Sequence, residues 1–184
     1  MRELSLNVLD IAQNSIAAGA SQIQIVVVEN TEQHTLCVGI YDNGCGMTDE
    51  QVKSVLDPFY TTRTTRKVGM GVPLFKMAAE QTGGNFTISS KVGIGTNVKA
   101  TFHTDSVDFT PLGDMASTVT TLVSMNTEIQ FLYRHKVNDR EFILDTAEIC
   151  EILGGVPLSE PSVMQWMRDF IKENTEALYG GVTV

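Results

Sequence analysis

Thr35-Leu36-Cys37-Val38-Gly39-Ile40-Tyr41-Asp42-Asn43-Gly44-Cys45-Gly46-Met47 is the stretch on which the fold turns. Thr35–Tyr41 is rich in apolar and β-branched residues and predicts a strand, which Asp42 ends. Two glycines then follow one residue apart, permitting positive φ and a close approach of the backbone to a ligand. The Asn43-Gly44 pair alone would satisfy a tight turn, so Gly46 is surplus to that need. A carboxylate fixed at a strand end can accept a hydrogen bond from an exocyclic amine.

Upstream, Ile23–Glu29 predicts a second strand across the polar turn Asn30–Gln33, and Glu3–Ala18 predicts a helix ended by Gly19. Leu4, Val8, Ile11 and Ser15 share one face of that helix, with Leu9, Ala12 and Ile16 alongside. Asn7, Asp10 and Asn14 recur at i, i+3 and i+7 and so form a polar stripe on it. Burying these groups unpaired would be costly, so the stripe faces either water or a ligand that satisfies it. A magnesium ion on the Asn14 carbonyl oxygen, with Asp10 polarising a water, fits hard oxygen-ligand chemistry.

Downstream, Thr48 and Gln51 have capping-box spacing for a short helix over Asp49–Leu56. Residues 57–69 are rich in Thr, Arg and Lys without apolar periodicity and predict a loop. Val72–Thr82 predicts a helix with Pro73 in its first turn, where the missing N–H does no harm. Phe86–Ser90 and Asn97–Phe102 predict a strand pair around Gly93-Ile94-Gly95-Thr96.

Past His103 the pattern restarts after a linker holding Pro111 and Gly113. A helix over Asp114–Met125, a hairpin of Glu128–His135 and Arg140–Leu144, a helix begun by Asp145 with Glu148 as box partner, and a helix over about Pro161–Tyr179 are predicted. Trp166, Met164 and Met167 on the last helix read as core rather than as a partner stripe. The 184 residues, 42% hydrophobic, suffice for one good core, or a domain with a small addition.

Charge and cysteine content exclude some classes. The net charge is −9, and residues 103–184 carry −8 of it, with 5 Lys+Arg against 13 Asp+Glu. That balance argues against nonspecific nucleic-acid binding. The acidic second part is more simply a solvated surface than a dock for a basic partner. Cys37, Cys45 and Cys150 lack metal-ligand spacing and read as reduced thiols. No run reaches transmembrane length and the start leads directly into helix, so the expectation is a soluble, cytoplasmic protein.

Taken together, Asp10-x-x-x-Asn14, the D-x-G-x-G of Asp42–Gly46, Asp57-Pro58-Phe59-Tyr60, the G-x-G of Gly69–Gly71 and the G-x-G-T of Gly93–Thr96 resemble the GHKL ATPases over roughly residues 4–102. That superfamily holds gyrase, a heat-shock chaperone, histidine kinases and mismatch-repair ATPases. Gln13–Ala20 and Asp42–Gly46 look like the mismatch-repair branch, whereas Asp57–Tyr60 and Gly69–Gly84 look like histidine kinases and anti-sigma serine kinases. The resemblance implies an α+β fold: a two-layer Bergerat-type sandwich over residues 1–103, its mixed sheet covered by helices on one face. Residues 104–184 would be a small α/β C-terminal appendage of helix–hairpin–helix type.

It also implies roles. Asp42 would recognise the adenine amine of ATP, supported by Thr96, while Gly44, Gly46 and Met47 let the loop pass the base. Asn14 would ligate Mg2+, and Asp10 would stand near the attacking group, where many ATP-hydrolysing members carry glutamate. Gly69, Met70 and Gly71 would present a helix N-terminus to the phosphates. Arg63, Arg66 and Lys67 lie in the expected lid, either meeting the γ-phosphate or simply solvated. His34, His103 and His135 all lack the helical setting of a phosphoacceptor, so a transferred phosphate would go to a separate protein partner. Hydrolysis, phosphotransfer in trans, an ATP-gated dimerising clamp and nucleotide sensing without turnover all remain open.

Overall fold

The structure, a computed structural model, describes residues 3–59 and 70–180. Its elements are α1 (Leu4–Ala17), β1 (Gln22–Asn30), β2 (Thr35–Asp42), α2 (Asp49–Leu56), α3 (Gly71–Gln81), β3 (Asn85–Lys91), β4 (Gly95–His103), α4 (Met115–Met125), β5 (Gln130–Val137), β6 (Arg140–Asp145), α5 (Thr146–Leu153) and α6 (Pro161–Leu178). Among the described residues no helix is long and apolar enough to cross a membrane.

One six-stranded mixed sheet runs in the order β3-β4-β2-β1-β5-β6. Every neighbouring pair is antiparallel except β1 and β5, which are parallel from Gln22 opposite Gln130 to Glu29 opposite Val137. The hairpin predicted beyond His103 therefore continues the sheet that begins in the N-terminal part. A parallel neighbour needs a long crossover, and the segment holding β3, β4 and α4 supplies it.

Alternation along the strands decides which face is covered. Ile23, Ile25 and Val27 of β1, Val38 and Ile40 of β2, Val98, Ala100 and Phe102 of β4, and Phe131 and Tyr133 of β5 point one way and are buried. Leu4, Val8 and Ile11 of α1, Phe75 of α3, Val119 and Val123 of α4, and Met167 and Ile171 of α6 join them in one cluster. The helices thus lie on one face of a mixed sheet, the expected α+β two-layer arrangement.

Local signals account for several boundaries. Thr48 accepts from the Gln51 backbone N–H and the Gln51 side chain accepts from Thr48 N–H, completing the predicted capping box. At α5 the cap differs from the prediction: Asp145 accepts from Ala147 N–H at 2.9 Å, and no reciprocal bond from Glu148 joins it among the described residues. The β5–β6 turn is shorter than predicted, because β5 runs on to Val137 and only Asn138-Asp139 remain. Asn138 takes φ +53, the conformation two-residue hairpin turns demand. On α6, Met167 is buried as expected, but Trp166 is 50% exposed, stacked on Phe170 with ring centroids 5.3 Å apart.

Candidate functional site

Asp42 closes β2 on the covered face, because its register partners Ile23 and Thr96 also point toward the helices. Its carboxylate is held from three sides. Oδ2 accepts the Ser15 hydroxyl of α1 at 2.5 Å, and Oδ1 accepts the backbone N–H of Gly44 at 2.8 Å and of Thr96 at 3.3 Å. Oδ1 is thereby filled by two donors, whereas Oδ2 keeps a spare lone pair.

The loop after Asp42 is stitched to its surroundings. Asn43 Oδ1 accepts the N–H groups of Ser21 and Gln22 at 2.9 and 3.0 Å, which anchors the loop to the start of β1. Cys45 N–H donates to the Ala18 carbonyl at 2.9 Å, and the Cys45 carbonyl accepts Gly93 N–H at 2.8 Å. Only Gly46 of the two glycines takes positive φ, at +72; a Cβ there would lie 2.0 Å from the Lys91 carbonyl oxygen. Gly44 is needed for a different reason, since a Cβ would come within 2.8 Å of the Ala18 methyl. Gly95, at φ +143, lets β4 start directly against Asp42, whose carbonyl oxygen a Cβ would approach to 1.9 Å.

Ser90 links the two halves of this network. Its hydroxyl accepts Met47 N–H at 2.8 Å and shares a 2.8 Å hydrogen bond with the Thr96 hydroxyl. Met47, Thr96 and Asp42 are thus held relative to one another by the chain's own hydrogen bonds, which is what preorganised recognition requires.

On the α1 side, Asp10 and Asn14 are half-buried while Asn7 is almost wholly buried, so the predicted stripe opens only at its C-terminal part. Burial raises the Asp10 carboxyl above its ordinary value. The N-terminus of α3 abuts it, since a Cβ on Gly71 would sit 2.6 Å from the Asp10 Cβ. Met70, the N-cap of α3, is exposed. Arg63, Arg66, Lys67 and Gly69 lie outside the described residues. Among those described, no group of three His, Cys, Asp or Glu side chains could hold a metal ion, so a bound cation would need amide, water or phosphate oxygens.

The family model for histidine kinase-, DNA gyrase B-, and HSP90-like ATPases matches residues 1–106. The chain belongs to this family. A putative sensor protein of Shewanella frigidimarina is 28% identical over 103 residues, 55% of this chain and 16% of that protein. Sporulation kinase B of Bacillus subtilis is 32% identical over 99 residues, 52% of this chain and 22% of the kinase. The chain thus spans less than a quarter of the length of these curated relatives. Among solved structures, the N-terminal domain of a DNA repair protein superposes with TM-score 0.55 at 16% identity, over 79% of this chain and 53% of that one. The Aquifex aeolicus MutL ATPase domain complexed with ADP superposes with TM-score 0.51 at 14% identity, over 98% of this chain and 70% of that one. At such identities these are likenesses of fold.

Two residues of this ATPase-family chain's candidate site escape the motif reading. Ser15 looks like one more small residue on the apolar face of α1, yet its hydroxyl is the donor to Asp42 Oδ2. A hydroxyl immediately after Asn14 on an otherwise apolar face was the available signal. Ser90 sits in an unremarkable strand, and nothing local marks it. Ser15→Ala is expected to weaken nucleotide binding about tenfold, or about 1.4 kcal/mol, by freeing the carboxylate to rotate. Titration with a fluorescent ATP analogue, beside a thermal melt close to that of the parent, checks this.

Proposed function

We propose that residues 1–103 form a cytoplasmic, histidine-kinase-like module that binds ATP with Mg2+ and phosphorylates or signals to a separate protein. The observation that carries the reading is the Asp42 carboxylate, pinned by Ser15, Gly44 and Thr96 and left with a lone pair on Oδ2. That acceptor suits the adenine amine, with Gly44, Gly46 and Met47 passing the base and Thr96 supporting it. Gly69, Met70 and Gly71 would offer backbone N–H groups and a helix dipole to the phosphates, and Arg63 and Lys67 would meet the γ-phosphate. Asn14, half-buried on the same helix as Asp10, has the amide oxygen Mg2+ accepts, and the ion would supply charge neutralisation at the phosphates. Asp10, raised toward the range where a carboxylate is a more effective base, would orient the attacking group.

Transfer in trans is supported by where the histidines lie. His34 stands in a turn at φ +53, His103 ends β4, and His135 is buried within β5. None is an exposed helical acceptor. Residues 104–184 would then serve as the part that completes the sheet and offers partner surface. A second reading, an ATP-gated dimerising clamp, is favoured by the fold likeness to the MutL ATPase domain over 98% of this chain.

Incubation with γ-labelled ATP and Mg2+, alone and with the products of neighbouring genes, separates the readings. Label on a partner protein is expected. ATP-dependent dimerisation without labelling would favour the clamp, and binding with neither outcome would leave a nucleotide sensor. Absence of any ATP binding would remove all three.

A further inference from the structure

Ser90 meets three partners with a hydroxyl that holds one proton and two lone pairs. It accepts Met47 N–H at 2.8 Å, donates to the Gly95 carbonyl at 3.1 Å, and lies 2.8 Å from the Thr96 hydroxyl. With the proton on Gly95 and one lone pair on Met47, only the second lone pair is left for Thr96. Thr96 is therefore the donor of the third bond. Were Ser90 the donor to Thr96 instead, the Gly95 contact would hold no proton, so this assignment is the one that keeps all three bonds.

That polarity fixes what Thr96 offers to a ligand. Its hydroxyl proton is spent on Ser90, and its two lone pairs have no partner among the described residues. Thr96 is half-buried and stands directly opposite Asp42 in the β2–β4 register, where facing Cβ atoms lie ~4.5–5.5 Å apart. The spare lone pair of Asp42 Oδ2 is thus its neighbour. The donors of this network are committed within the protein: the Ser15 hydroxyl, Gly44 N–H and Thr96 N–H to Asp42, and Met47 N–H to Ser90. What these residues leave for a ligand is acceptors on two adjacent strands.

We infer that Ser90 is a positioning residue that sets base specificity: by holding the Thr96 proton it makes that hydroxyl an acceptor beside Asp42, and the pair selects a purine nucleotide with an amine at the base edge over one with a carbonyl. An exocyclic amine carries two protons and can be met by both acceptors, directly or through one ordered water. A carbonyl in that place faces lone pairs alone and loses its hydrogen bond. Ser90 does this through Thr96, without reaching the base itself. The selectivity rests on the nucleotide reading, whereas the direction of the Ser90–Thr96 bond does not.

The test compares ATP with inosine triphosphate, which carries a carbonyl where adenine carries its amine, by calorimetric titration of the full chain with Mg2+. ATP is expected to bind about a hundredfold tighter or more. Ser90→Ala frees the Thr96 proton to turn toward the ligand, so the ratio of the two affinities should fall about tenfold, and Ser90→Thr, which keeps the hydroxyl, should restore it. Loss of the Met47 bond weakens both nucleotides alike and cancels in the ratio. In a Thr96→Val background Ser90→Ala should leave the ratio unchanged, because no hydroxyl remains for it to orient. Without any variant, the Thr96 hydroxyl proton of the unliganded chain should exchange slowly in NMR and show a contact to the Ser90 β-protons. An unchanged ratio in Ser90→Ala, an equal fall in the Thr96→Val background, or a rapidly exchanging Thr96 proton beside a protected Ser90 proton would overturn the role of Ser90 and leave nucleotide binding standing. Failure of the parent chain to bind ATP would overturn both.

Discussion

Asp42→Asn is expected to leave the chain folded and to weaken ATP binding by about a hundredfold or more. The donors around the carboxylate decide how an asparagine would sit there. Gly44 and Thr96 both point backbone N–H groups at Oδ1, so an asparagine must keep its oxygen there and put its NH2 group at the Oδ2 position. Ser15 tolerates that exchange, because a hydroxyl can turn its lone pair toward the amide and direct its proton to the Ile11 carbonyl, 3.5 Å away. The protein interior is therefore satisfied, and the change falls on the ligand. In the proposed pose the adenine amine, a donor, would then meet a donor. Losing the hydrogen bond and facing two donors together costs about 3 kcal/mol, which is roughly two decades in affinity. Guanine carries an acceptor at the corresponding ring position, so the ratio of GTP to ATP affinity should rise in the variant. Calorimetric titration of both nucleotides with Mg2+ measures this. An unchanged ATP affinity in a variant with a normal melt would show that Asp42 does not read the base.

The sequence carries the site unevenly, for physical reasons that particular residues illustrate. Gly46 and Gly95 are legible because each relieves a backbone contact that any Cβ would block, a constraint that selects one residue type. Thr48 and Gln51 are legible because a capping box is complete within four residues. Asp42 is legible as the end of a strand, but its orientation is not, because that depends on Ser15 from a helix 27 positions earlier. The parallel pairing of β1 with β5 is likewise nonlocal: the alternation in Gln130–Val137 announces a strand but names no neighbour. Trp166 shows the opposite failure. Helical spacing puts it near the apolar stripe of α6, yet the stripe needed only Val163, Met167, Ile171 and Leu178, and Trp166 was left to stack on Phe170.

Acid is expected to destabilise the fold through His135, by about 3 kcal/mol between neutral pH and pH 4. His135 is buried in β5, its ring edge-on to Tyr133 and tilted against Phe142, which in turn meets Phe170 of α6. Its Nδ1 shares a 3.1 Å hydrogen bond with the Tyr133 hydroxyl, and its Nε2 is buried without a partner among the described residues. Burial alone lowers its pKa from the ordinary 6.5 to about 4, since a charged imidazolium in this aromatic setting loses its hydration. Between those two values the unfolded chain binds a proton that the folded chain refuses. Stability therefore rises with pH in this window: the contribution is complete above about pH 6.5 and is lost as pH falls toward 4, at about 1.4 kcal/mol per unit. His135→Phe removes the titrating group and keeps an aromatic ring beside Phe142. It leaves the Tyr133 hydroxyl without its partner, a cost that is constant here because burial holds that phenol above its ordinary value and protonated throughout. Urea denaturation of both proteins at several pH values from 7 to 4 isolates the effect, because every carboxylate and the other two histidines are common to both. The stability difference should move in favour of the variant as pH falls. A difference that stays flat across the window would mean that His135 takes up its proton in the folded state and that the β5–α6 interface opens to admit water.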